Sequence, residues 1–308
     1  MLRWATLVAA SLVWPAATSA QTASPPLILE AKIPLGQVSG RIDHLGIDGK
    51  RQRLLIAELG NNSLGVVDLT AGKVLSRVAG LAEPQGAAYV PSSDSIFVAN
   101  AGDGSVRVLR GEDLTPIRHI ELGDDADNVR VDPARKRVLV GYGKGALAVI
   151  DPVSLAKTAD IRLKAHPEGF QIDETGTQVF VNVPDAHEIV VVDLATGSTQ
   201  SLPTQGAGSN FPMAIDGEAH RFLVIFRNPP TLMAFSSQAG HVAAKVDTCG
   251  EGAVDVLEPD QQGYRRLARV PTASGARTSL FVPELDRLFV AVRAGSNEPA
   301  AIWVFRPA

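Results

Sequence analysis

The sequence predicts an all-β fold of the β-propeller type, and three observations predict it. A short apolar strand core returns at a near-constant step: from Ile56 to Val98, Val140, Val181 and Val224 the intervals are 42, 42, 41 and 43 residues. Each interval holds several short β-branched runs separated by Gly, Asp and Asn turns, of which SIFVANAGDGSVRVL at Ser95–Leu109 is the clearest unit. Helical periodicity is nearly absent. A repeat of about 40–45 residues built from short strands is the signature of propeller blades.

Taken in order, residues 1–20 read as a secretory signal: Arg3, an apolar run of 11 residues from Trp4 to Trp14, Pro15, and small residues ending at Ala20. That run is well short of the roughly 20 apolar residues that span a bilayer. Cleavage after Ala20 leaves 21–308 as one propeller domain, periplasmic or secreted, with no transmembrane segment and expected to be monomeric. Leu27–Gly36 ends like the segments that close later repeats, RHIELG, ADIRLK and AAKVDTCG. It is therefore expected to be a displaced fourth strand that pairs with the C-terminal strands and closes the ring.

Each following unit runs as four strands, A to D. In the second these are Gly86–Pro91, Ser95–Asn100, Ser105–Arg110 and Pro116–Leu122, and the third repeats the layout from Asn128 to Leu163. The A–B turns open on Asp48, Pro91, Asp132, Asp173, Asp216 and Pro283, residues that suit the start of a type I turn. Strand C ends at Val67, Leu109, Ile150, Val192, Phe235, Leu257 and Phe305, with steps of 42, 41, 42, 43, 22 and 48. The step of 22 leaves no room for an A–B hairpin before Leu257. The pattern predicts a seven-bladed plan of four-stranded blades whose sixth blade lacks its inner A–B hairpin.

Composition excludes several classes. The chain has 29 basic and 33 acidic residues and a net charge of −4, which gives no general attraction to nucleic acid or anionic membrane. Cys249 is the single cysteine, so neither an internal disulfide nor a thiolate zinc ribbon can form. Aromatic residues make up 5% of the chain, too few for stacking platforms. The basic clusters Lys50–Arg53 and Arg135–Arg137 sit in A–B turns, the face opposite the site considered below. Phosphate-cradle, nucleophile-elbow, metalloprotease and haem-attachment motifs are absent from the sequence.

The repeats resemble those of the YVTN-repeat β-propeller family. The matching residues are Phe97-Val98-Ala99-Asn100 with Ser105–Leu109, Val140-Gly141-Tyr142 with Leu147–Asp151, and Phe180-Val181-Asn182 with Ile189–Asp193. The resemblance runs over 27–308 and implies the fold. It also implies a range of roles: exported binding proteins, dehydrogenase subunits, or nucleic-acid and cell-surface binders. Cys249–Glu251 is where the chain departs from relatives with a complete sixth blade.

In a propeller the D–A and B–C loops open on one face around the axis. Their phase gathers Arg41, Asp43, His44, Gln85, Asp127, Asn128, His166, Glu168, Asn210, Arg227, Arg277 and Arg293 into one candidate ligand-binding funnel. Carboxylates such as Asp43, Asp127 and Glu168 suit a divalent metal ion, and the arginines suit an anion. The expected function is an exported binding or scaffold protein that holds a small polar ligand, a metal or another exported protein on this face. A metal-assisted, lactonase-like hydrolase is the alternative, and DNA binding the third reading.

Overall fold

The computed structural model describes residues 25–132, 134–238, 240–247, 252–260, 263–295 and 298–308. The signal segment and Cys249–Glu251 lie outside the described residues. Strand β1 (Leu27–Pro34) is followed by the first complete blade, β2 (Leu45–Asp48), β3 (Arg53–Glu58), β4 (Ser63–Asp68) and β5 (Lys73–Ala79). The second blade comprises β6 (Pro84–Val90), β7 (Ser95–Asn100), β8 (Ser105–Arg110) and β9 (Pro116–Glu121). The third comprises β10 (Ala126–Asp132), β11 (Arg137–Tyr142), β12 (Ala146–Ile150) and β13 (Lys157–Arg162). The fourth comprises β14 (Phe170–Ile172), β15 (Gln178–Val183), β16 (Glu188–Asp193) and β17 (Thr199–Pro203). The fifth comprises β18 (Gly208–Asp216), β19 (Arg221–Asn228), β20 (Pro230–Ser236) and β21 (Val242–Asp247). After the hairpin β22 (Ala253–Asp260) and β23 (Gly263–Pro271) come β24 (Thr278–Val282), β25 (Arg287–Val292) and β26 (Ala301–Pro307). These last three join β1 in the sixth blade, with β1 antiparallel to β26 from Leu27↔Pro307 to Pro34↔Ala301.

The molecule is thus a six-bladed propeller among the described residues, not a seven-bladed one with an incomplete sixth blade. The first strands β24, β2, β6, β10, β14 and β18 neighbour one another in that order. The hairpin β22–β23 forms a two-stranded sheet of its own, with β23 against β21. Its Val254 and Val270 pack on a cluster that includes Val290, Val292, Trp303 and Phe305 of the sixth blade. A hairpin with one apolar face alternates like the outer strands of a blade, so its pattern alone does not distinguish an outer flap from a seventh blade.

Strand alternation builds the core between blades. Phe97 and Ala99 of β7 pack toward Val129, Val138 and Val140 of the third blade, whereas Ile96 and Val98 pack toward Leu55, Leu64 and Val66 of the first. Between the fourth and fifth blades, Phe180, Phe222 and Phe235 stack with ring centroids 4.3 and 5.0 Å apart.

The A–B turns are pinned as their aspartates predict. Asp48, Asp132 and Asp216 each accept from a backbone N–H three residues on, at 3.2, 3.1 and 3.1 Å. Asp48 and Asp132 also hold Arg53 and Arg137, whose guanidiniums reach the carbonyls of Gly111 and Gly176 in the next blade. Lys50 and Arg51 are bound to Asp94. Much of the charge of the two basic clusters is therefore consumed in stitching blade to blade.

Candidate functional site at the axial mouth

The approach to β2 supplies Arg41, Asp43 and His44. The backbone is fixed there because the Asp43 N–H donates to the Ala57 carbonyl (2.8 Å) and the His44 N–H to the Gln85 carbonyl (3.0 Å). Strand β10 brings Asp127 and Asn128 alongside, and the segment before β14 brings His166 and Glu168. Glu168 is anchored by its N–H on the Asn182 carbonyl, 2.9 Å.

These side chains meet. His44 Nε2 lies 3.6 Å from Asp127 Oδ1 and 3.9 Å from Asp43 Oδ1. His166 Nε2 lies 3.8 Å from Asp127 Oδ2, and its Nδ1 donates to the Gly143 carbonyl at 2.6 Å, with Asp125 Oδ2 at 3.6 Å. Gln85 donates to Asp125 at 3.2 Å. Arg41 Nη2 stands 2.5 Å from Asp43 Oδ2, at an angle that makes it an ion pair rather than an aligned hydrogen bond. Asp127, His166 and Glu168 each offer a ligand atom, and the three atoms lie within 4.8 Å of one another.

Burial and charge act against each other here. Burial alone would raise the Asp127 carboxyl, but His166 and His44 hold it well below the usual carboxylate range. Burial likewise opposes a charged His166, yet Asp127, the Gly143 carbonyl and Asp125 lift it to about 9. Glu168 moves the other way, up to about 7, because burial and the neighbouring Asp127 charge both favour its neutral acid. Asp43 and Asp125 are raised chiefly by burial. Three aspartates, two histidines with raised pKa values and a glutamate lifted to about 7 make a cluster of the kind that gathers at functional sites.

Sequence phase overlooked one member. Arg130 of β10 donates to Asn128 Oδ1 and to the Val129 carbonyl, lies over the Phe170 ring, and is pushed down to about 10 by burial. It orients Asn128, whose amide nitrogen stands 2.9 Å from His44 Nε2. A charge inside the inner strand NVRVD was the available signal.

Other predicted members fall elsewhere. Asn210 is fully buried and donates to Asn182 Oδ1 (3.0 Å) and the Glu188 carbonyl (3.1 Å), joining the fourth and fifth blades rather than facing the mouth. Arg227 covers the Phe211 ring at 4.1 Å. Arg277 and Arg293 line a small crevice with Arg41, Ile42, Gly275, Thr278 and Ala291. Asp43, expected as a metal ligand, is paired with Arg41, and His166 lies beside Asp127 and Glu168.

The class that this fold defines is the WD40-like β-propeller, and comparison with solved structures agrees. The chain superposes on Kuenenia stuttgartiensis hydrazine synthase with a TM-score of 0.75 at 18% identity, covering 88% of this chain and 98% of that one. It superposes on a chain of a mitotic checkpoint complex with a TM-score of 0.77 at 14% identity, covering 97% and 98%. For the WD40 repeats of RRP9 the TM-score is 0.78 at 9% identity, covering 92% and 98%. Likeness at such identities speaks for the fold alone. No protein-family model and no curated protein matches the chain, so the YVTN-repeat assignment rests on the residue resemblance. No helix among the described residues is long and apolar enough to cross a membrane.

Proposed function

We propose that the chain is an exported propeller of the YVTN-repeat kind, periplasmic or secreted, that binds a small polar ligand on the mouth built by its D–A loops. One observation carries this reading: Arg41, Asp43 and His44, then Asp125 and Asp127, then His166 arrive from three separate blades and meet within ion-pair distance, with a Glu168 oxygen within 4.8 Å of Asp127 and His166. Loops that merely finish strands have no need to crowd buried carboxylates together, because each buried charge costs desolvation. Beside the cluster, the crevice lined by Arg41, Arg277 and Arg293 suits an anionic group on the ligand.

The test uses inorganic phosphate and citrate as probes in isothermal titration at neutral pH. The expected result is saturable 1:1 binding that weakens about tenfold or more in Arg277→Ala and Arg293→Ala, a loss of about 1.4 kcal/mol. Lys136→Ala, on the opposite face, leaves it unchanged. Absence of binding by either probe, or equal binding in all variants, assigns the arginine crevice to structure. A mature N-terminus at Gln21 checks export.

A metal-assisted hydrolase of lactone-like esters is the second reading, favoured by Asp127, His166 and Glu168, whose ligand atoms lie within 4.8 Å of one another and could hold the ion. Lactone hydrolysis by the purified protein that disappears in Glu168→Gln would support it.

A further inference from the structure

Three features of the mouth point to one kind of ligand. The first is the donor set: one imidazole nitrogen and two carboxylate oxygens, from Asp127 on β10 and from His166 and Glu168 just before β14, all mutually within 4.8 Å. The second is an unmet need. Asp127 is only 2% exposed, and its Oδ1 has no hydrogen-bond partner among the described residues. His44 Nε2 stands 3.6 Å from that oxygen, too far for a hydrogen bond, so a bound cation would supply the close contact that the buried carboxylate lacks.

The third is the support behind the imidazole. His166 Nδ1 donates to the Gly143 carbonyl, so Nε2 is the atom turned toward Asp127. Histidines that ligate metals characteristically spend their other ring N–H on a backbone carbonyl in this way, which fixes both tautomer and ring plane. The backbone at Glu168 and Gly169 is held by exchange with Asn182, 2.9 and 3.1 Å, so that ligand too starts from an ordered position.

We propose that Asp127, His166 and Glu168 form a binding site for a divalent transition-metal ion of the zinc type. The proposal rests on the reading of the mouth as a binding site and deepens it by naming a ligand class. Mixed nitrogen and oxygen donors favour zinc, manganese or iron(II) over calcium, which prefers an all-oxygen cage of six to eight ligands. Binding displaces the protons of His166 and Glu168, and the resulting two carboxylates and neutral imidazole balance the charge of a divalent ion. Three protein ligands leave a further position open, the arrangement of sites that exchange water for a bound molecule.

The fit needs one adjustment. Ligand atoms around zinc at 2.0–2.2 Å in tetrahedral geometry stand about 3.4 Å apart, so the three side chains must draw together by roughly 1 Å. Glu168, a partly exposed side chain with three rotatable bonds on a held backbone, is the member that closes the distance by a rotamer change.

The full mature chain, stripped with a chelator and without a histidine tag, is titrated with zinc(II) alone against a chromophoric competitor chelator. The expected result is one zinc per chain, weakened at least tenfold in His166→Ala and Glu168→Gln, unchanged in His119→Ala, whose side chain is exposed on β9, and undisplaced by excess calcium or magnesium. Asp127→Asn removes a buried charge and can disturb folding, so the two partly exposed ligands decide the matter. Cobalt(II) provides a second readout, with a visible absorption band in the wild type that is lost in His166→Ala. Non-stoichiometric uptake, equal zinc affinity in wild type and both ligand variants, or displacement by calcium would overturn the proposal. Phosphate binding without zinc binding removes the metal and keeps the ligand-binding mouth. Zinc binding without phosphate binding keeps the metal and removes the anion.

Discussion

Asp48 and Arg53 show how much a single residue can carry in this chain. Asp48 is fully buried, accepts both Nε and Nη2 of Arg53 at 3.0 and 2.5 Å, and takes the Arg51 N–H besides. Arg53 in turn bonds the Gly111 carbonyl of the second blade. Truncation in Asp48→Ala strands a buried guanidinium, and breaking a buried pair from one side costs about 3–5 kcal/mol. Chemical denaturation is expected to show a loss of that order, whereas Asp113→Ala, in an exposed turn, leaves stability nearly unchanged. Asp173 gives a pH-dependent counterpart. Its carboxylate is opposed by burial but accepts from the Thr177 and Gln178 N–H groups and from two threonine hydroxyls, which lowers its pKa. A depressed carboxylate pKa adds stability above the unfolded value and loses it as pH falls through the folded one. Melting curves between about pH 5 and 3 should therefore fall more steeply for wild type than for Asp173→Ala.

Among the elements, the first strands are set by glycines that alternation does not reveal. A Cβ on Gly86 would stand 2.3 Å from the Asp127 carbonyl oxygen, one on Gly46 2.3 Å from that of Ala87, and one on Gly169 2.2 Å from that of Phe211. In each case the obstacle is the backbone of the neighbouring blade, which cannot rotate away. Gly86→Ala should cost about 1–3 kcal/mol and, by displacing Asp127, weaken zinc binding in the same variant; stability lost with zinc affinity intact would separate the two. The second and third blades were legible because both faces of their middle strands are apolar and buried and their turns are built from Asp and Gly. The hairpin β22–β23 misled because its one apolar face copies an outer strand pair. At the mouth, phase brought Asp127, His166 and Glu168 to one rim. The choice of His166 over Asp43 depended on Arg41 engaging Asp43 and on the Gly143 carbonyl, neither of which spacing encodes.

At the scale of the whole molecule, ring closure is the dominant constraint. The sixth blade takes three strands from the C-terminal end and one from the N-terminal end, with Lys32 over the Trp303 ring at 3.7 Å and Glu30 bridging Arg287 and Arg306 across the join. The Ala308 N–H donates to the Pro26 carbonyl at 3.1 Å, so the two described ends touch. The ring is therefore closed by a seam between described residues, and the seam can be moved. A circular permutant that joins Ala308 to Pro25 through a short glycine linker and opens the chain at Gly72, in the exposed turn before β5, turns the most distant strand pairing into a local hairpin. Loop-closure entropy falls most on contacts far apart in sequence. The same cut makes β4–β5 the most distant pairing instead, so the permutant should keep both its refolding rate and its melting temperature close to those of the natural order; markedly slower refolding would mean that the β4–β5 hairpin forms early in folding.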